Sequence, residues 1–115
     1  MTKGKVVLVP FPFDDLTTSK VRPAVCLTDP IGPHRHIILA FVTSRVPAEL
    51  LDTDLVLYSE HAGFCATGLR VPSTLQIHSL MTVTTSMIQR ELGALPPDLQ
   101  READDRLKKL FKLAG

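Results

Sequence analysis

The sequence predicts a mainly β domain of the α+β class, a small antiparallel barrel with a C-terminal α-helix and short connecting helices. Three observations predict it. Five to seven short runs rich in Val, Ile, Leu and Thr follow one another at close spacing, bounded by Pro, Gly, Asp or Ser. One stretch alone, near the end, carries its apolar residues at clear helical spacing. The chain of 115 residues, 44% hydrophobic and 22% charged, makes a single domain. That length suffices to bury roughly two-thirds of the unfolded surface without staples.

Lys5 to Val9 is a continuous apolar run with β-branched residues and predicts the first strand. Val21 to Thr28 predicts the second. Period-two alternation puts Val21, Pro23, Val25 and Leu27 on one face, and Arg22, Ala24 and Cys26 on the other. Asp29-Pro30-Ile31-Gly32-Pro33 is a dense turn signal. Ile37 to Thr43 is apolar on both faces, which predicts a strand covered on both sides. Val46 to Asp52 is read as a helical turn opened by Pro47, Leu55 to Tyr58 as a strand, and His61 to Gly68 as a loop. Thr74 to His78 alternates Leu75 and Ile77 with polar neighbours, a half-buried strand, and Met81 to Thr84 is read as one more. Ser86 to Leu92 is read as a short helix closed by Gly93. After Pro96-Pro97, Leu99, Ala103, Leu107, Leu110 and Phe111 form the apolar stripe of the terminal helix, with acids early and bases late.

Charge and cysteine usage exclude more than they identify. A net charge of +1 selects no partner, although Met1 to Arg45 holds six Lys/Arg and three acids, and Glu49 to Glu60 four acids and no base. Two cysteines make no disulfide framework, and Cys26 reads as a small buried hydrophobe. No signal segment or membrane span is legible, so a cytoplasmic protein with no membrane contact is expected. There is no phosphate-binding glycine loop, no nucleophile elbow and no zinc spacing. The His34-Arg35-His36 run reads as a solvated loop, and no metal or other cofactor is expected.

What remains is a set of polar groups that strand parity aims at a common groove. Arg22 offers a planar, permanently charged fork suited to phosphate, placed beside a proline that is unusual inside a strand. Thr43 and Ser44 offer hydroxyls where a strand ends, Gln76 and His78 share one strand face, and Phe11, Phe13 and Phe64 are able to stack on unpaired bases. Each has a plain structural alternative: an ion pair with Asp14 or Asp15 for Arg22, a solvated face for Gln76 and His78, a core for the phenylalanines.

Taken in order, these residues resemble the MazF/PemK family, the toxins of type II toxin–antitoxin modules. Gly4 to Val9 is similar to the family's opening strand. Phe11-Pro12-Phe13-Asp14-Asp15 followed by Lys20-Val21-Arg22-Pro23 resembles its strand–loop–Arg-Pro hallmark, and Thr43-Ser44 its third-strand terminus. Gly68-Leu69 with Ser73, and Leu92 to Leu95, complete five blocks in register.

The resemblance implies an SH3-like barrel assembled as a homodimer, and a sequence-selective endoribonuclease that cleaves single-stranded RNA without metal. It implies an antitoxin partner whose acidic, disordered segment crosses the RNA groove, with DNA binding only through the toxin–antitoxin complex. Arg22 and Thr43 match the catalytic positions. Phe13, Lys20, Ser44, Ser73, Thr74 and Gln76 fall where RNA contacts are expected, and Phe11 to Ser19 as a loop over RNA or antitoxin. Where well-known branches carry an arginine with an acid close behind, this chain has Gln76 and Ser79, which leaves His78 as the candidate acid or base. Two other readings stand beside this one: a non-nucleolytic toxin like the gyrase-poisoning CcdB proteins, which share the fold, and an inactive relative that only binds antitoxin.

Overall fold

A computed structural model describes residues 2–11 and 20–114. The strands are β1 (Lys5–Pro10), β2 (Val21–Cys26), β3 (His36–Thr43), β4 (Asp54–Leu57), β5 (Ser73–Thr84) and β6 (Arg90–Ala94), followed by helix α1 (Pro97–Leu110). Their order in the sheet is β4-β5-β3-β2-β1-β6, with every ladder antiparallel. Among the described residues no ladder joins β4 to β6, so the expected barrel is an open, curled half-barrel.

Strand alternation builds a core on each face of this sheet. Val6, Val25, Ala40, Val42, Leu55 and Leu75 share one cluster with Leu99 and Ala103 of α1. Val7, Val9, Ala24, Cys26, Leu39 and Phe41 form the other, with Phe11 and Met81 packed against it. The parity expected for β2 holds: Val25 and Leu27 belong to the helix side, Ala24 and Cys26 to the reverse. Burial also pushes the Cys26 thiol up to about 11, with Glu91 adding to the effect and Lys5 opposing it.

Four expected segments differ. The strands expected at Thr74–His78 and Met81–Thr84 are one strand, β5, broken by an irregularity. Ala40 pairs with Leu80 and Val42 with Leu75, so five residue steps on β5 oppose two on β3. The inserted residues reverse the alternation. Leu75 and Ile77 face the helix side, whereas Met81 and Val83 face the other. The helix expected at Ser86–Leu92 is a 3₁₀ turn, Thr85–Met87, running into edge strand β6. Residues 46–52 form bends without a helical turn, and the loop at 61–68 holds a 3₁₀ turn, Phe64–Thr67.

Helix α1 starts at Pro97, where a missing backbone donor costs nothing, and buries Leu99 and Ala103. Burying a leucine such as Leu99 contributes about 2 kcal/mol. Phe111 follows the helix as its cap and is 56% exposed, so the apolar stripe ends at Leu110 instead. His61, read as an ordinary loop residue, clamps the start of α1. Its Nδ1 accepts from the Gly63 N–H at 2.9 Å, which leaves the proton on Nε2 to donate to Asp98 at 2.7 Å. That hydrogen bond holds the Asp98 carboxyl below its ordinary range.

Candidate functional site

The site begins with the Arg22-Pro23 pair. Arg22 pairs with Val9 and Pro23 with Leu8 on β1, but the β2–β3 ladder starts only at Ala24 opposite Phe41. β2 is therefore laddered on one side at Arg22 and Pro23, where a residue without a backbone donor is tolerated. The same early end leaves space between β2 and β3. Continuing the register of that ladder by two residues sets Thr43 opposite Arg22, and Thr43 in turn pairs with Thr74 of β5.

A cleft of about 180 Å³ occupies this space, lined by Phe11, Arg22, Phe41, Val42, Thr43 and Gln76. Its aromatic wall is an edge-to-face pair, Phe11 against Phe41, with ring centroids 4.9 Å apart at 87°. The guanidinium carbon of Arg22 lies 5.2 Å from the centre of the Phe11 ring, a cation–π contact that orients the fork. The Thr43 hydroxyl and the Gln76 carboxamide make no hydrogen bond to another described residue, so both remain available to a bound group. The cleft thus offers a fixed cation, a hydroxyl, an amide and two ring faces.

The structure brings together Arg22, Thr43 and Gln76, and separates the others. Thr74 is fully buried and its hydroxyl donates to the Arg45 carbonyl at 2.7 Å; Ser73 is buried and donates to the Val71 carbonyl at 2.8 Å. Both hydroxyls are engaged in fixing the backbone. Gln76 lines the cleft, while exposed His78 is not among its lining residues and meets the Thr53 hydroxyl through Nδ1 at 2.7 Å. Ser44 lines a separate groove on the helix side of the sheet, and Lys20 is exposed at the mouth of the 11–20 connection, its carbonyl accepting from the Phe11 N–H at 2.9 Å. Phe64 is core, and Phe13 lies outside the described residues.

Sequence reasoning missed Phe41 as a wall of the cleft. The signal was available, since Phe41 stands two residues before Thr43 and therefore on the same strand face.

A family model describing the PemK-like, MazF-like toxins of type II toxin–antitoxin systems matches residues 2–111. No curated protein sequence matches the chain. Among solved structures it is similar to the Mycobacterium tuberculosis toxin MazF-mt6, at 19% identity and a TM-score of 0.73, over 96% of this chain and 99% of that one. It is similar also to an endoribonuclease in complex with its cognate antitoxin from a mycobacterial species, at 11% identity and a TM-score of 0.72, over 100% and 98% of the two chains. A chain of the MazE–MazF crystal structure from Deinococcus radiodurans matches at 16% identity and a TM-score of 0.71, over 99% and 97%. Likenesses at such identities establish the fold. The match over residues 2–111 establishes the family, and the chain belongs to the PemK-like, MazF-like toxins of type II toxin–antitoxin systems.

Proposed function

We propose that this toxin is a sequence-selective, metal-independent endoribonuclease acting on single-stranded RNA in the cytoplasm. The observation that carries the reading is the convergence of Arg22, Thr43 and Gln76 on one cleft beside two aromatic rings. Family membership and the name of one structural neighbour, an endoribonuclease held by its antitoxin, support it.

The chemistry follows from the groups present. The ribose 2′-oxygen attacks the adjacent phosphorus, the bond to the 5′-oxygen breaks, and the proton lost from the 2′-hydroxyl is balanced by one gained at the leaving oxygen. The products are a 2′,3′-cyclic phosphate and a 5′-hydroxyl. DNA lacks the attacking group. Negative charge grows on the phosphate oxygens in the transition state, and Arg22, held against Phe11, is placed to stabilise it more than the ground state. The Thr43 hydroxyl orients the phosphate or the 2′-hydroxyl. Gln76 hydrogen-bonds a neighbouring base, and Phe11 and Phe41 offer apolar surface beside it. His78 lies outside the cleft lining and is given no role.

The toxin works as a homodimer and is neutralised by an antitoxin whose acidic segment crosses the cleft; the mycobacterial neighbour is an endoribonuclease in complex with its cognate antitoxin, and the Deinococcus radiodurans neighbour a MazE–MazF structure. Purified protein incubated with a long single-stranded RNA in excess EDTA tests the reading. Cleavage should persist in EDTA, leave cyclic phosphate ends, and fall about 100- to 1,000-fold in Arg22→Ala. Intact RNA at high enzyme excess would overturn it and favour a toxin that cuts nothing.

A further inference from the structure

Among the described residues Asp54 is the one buried charged side chain, 5% exposed, and the proposed reaction leaves it unused. One carboxylate oxygen, Oδ2, accepts from the Leu51 N–H at 3.0 Å and closes the turn into β4. The other, Oδ1, is shut off from solvent and takes no hydrogen bond from a described residue. A carboxylate accepts only, so Oδ1 needs a donor.

Strand register supplies one. Asp54 is the cross-strand partner of Gln76. Leu55 and Leu57 of β4, with Leu75 and Ile77 of β5, belong to the helix-side core, so Asp54 and Gln76 share the opposite face. The Ile77 N–H donates to the Thr53 carbonyl at 3.0 Å, which makes the next pair, Asp54 with Gln76, a non-hydrogen-bonded one. In such pairs the Cα atoms lie about 4.5 Å apart and the side chains approach closest. The Asp54 backbone agrees: its N–H donates to the Leu51 carbonyl at 3.0 Å and its carbonyl accepts from Arg106 Nε at 3.3 Å, both off the ladder with β5. Gln76 is half-buried in the cleft lining, with its carboxamide free of other described residues.

We propose that Asp54 is a positioning residue that fixes which end of the Gln76 carboxamide meets the RNA. A free carboxamide presents donor or acceptor by a half-turn and selects neither kind of base; a fixed acceptor beside it breaks that symmetry. Gln76 Nε2 turns to donate to Asp54 Oδ1, and Oε1 then faces the cleft as an acceptor. A base with an amino group there, at position 4 of cytosine or 6 of adenine, is taken. Uracil and guanine carry a carbonyl oxygen at those positions and set acceptor against acceptor. The inference rests on the RNA-cleaving reading above and adds to it the class of base selected beside the scissile phosphate.

Asp54→Asn tests it, because asparagine keeps the shape and the acceptor for Leu51 but puts an N–H donor in place of Oδ1. That donor holds Gln76 Oε1 and turns Nε2 toward the RNA. Cleavage sites are mapped on an RNA of randomised sequence, and rates are then measured on oligonucleotide pairs differing by C or U at the selected position. The wild type should cut the C substrate about tenfold faster, as one hydrogen bond allows, and Asp54→Asn should reverse the preference. Gln76→Leu should cut both alike, and adding Asp54→Asn to it should change nothing further, which a merely structural Asp54 would not produce. Asp54→Ser, whose hydroxyl donates or accepts, supplies a second variant and should bring the two rates together. With no RNA present, the Gln76 side-chain amide protons should move upfield in Asp54→Asn, having lost a charge-assisted hydrogen bond. An unchanged base preference in Asp54→Asn overturns the proposal, as does an amide signal that does not move. RNA left intact by the wild type overturns the cleavage reading and base selection with it, and the amide signal then decides the Asp54–Gln76 bond by itself.

Discussion

Arg22 and Thr43 differ in what their loss should do. Arg22→Ala removes both the charge that attracts phosphate and the charge that stabilises the transition state, so binding and cleavage fall together. Thr43→Ala removes one oriented hydroxyl. RNA binding, read by anisotropy, should stay within a few-fold, and cleavage should fall about 100-fold; full activity in that variant would remove Thr43 from the reaction. Phe11→Leu tests the support behind the guanidinium. It keeps apolar volume against Phe41 but loses the ring face under Arg22, a contact of about 0.5–2 kcal/mol. The expected outcome is a several-fold loss of cleavage rate with little change in melting temperature. Residue chemistry was largely legible in sequence here, because the arginine, the threonine and the glutamine carry their functional groups wherever the fold puts them.

At the scale of elements, two contacts between segments far apart in sequence hold the sheet edge and the helix. The first is the His61–Asp98 hydrogen bond, which ties the turn before β5 to the first turn of α1. The folded state holds the Asp98 carboxyl below its ordinary range, so its stabilising effect is present at neutral pH and fades as pH falls through and below about 4. Asp98→Asn should therefore melt earlier than the wild type at pH 7, and the difference should shrink by pH 3. A gap of equal size at both values would show that the charged hydrogen bond is not its source. The second is the seat of the Phe64–Thr67 turn on β6. A Cβ on Gly93 would run into the Ala66 carbonyl and the Thr67 backbone, atoms that cannot step aside as a flexible side chain can. Gly93→Ala should cost about 3 kcal/mol, measured by urea denaturation. Neither contact was visible in sequence: His61 reads as a loop residue, and the strand that ends in Gly93-Ala94 reads as a helix.

For the whole molecule, the half-barrel uses both faces of one sheet, and this decides which groups are reachable. Cys26 is buried between strands with its thiol held protonated up to about pH 11, whereas Cys65 is exposed. A thiol reagent at pH 8 should modify Cys65 at once and Cys26 only on unfolding; rapid reaction at both would contradict the packing on the reverse face. Binding of single-stranded RNA should weaken steeply with added salt, since an interface built on phosphate contacts releases counterions. A flat response would remove the cleft as an RNA site.

By itself the sequence determined the fold class, the parity of β2, which sets Arg22 on the face away from Val25 and Leu27, and the position of α1. These follow from local periodicity, which any segment carries wherever it sits. Only the tertiary structure decided that the barrel stays open and that Thr74 and Ser73 turn their hydroxyls to the backbone. It alone decided that a register shift within β5 puts Leu75 and Ile77 on the helix side and Met81 and Val83 on the other. Those outcomes depend on pairing between strands distant in the chain, where one inserted residue reverses every face that follows it.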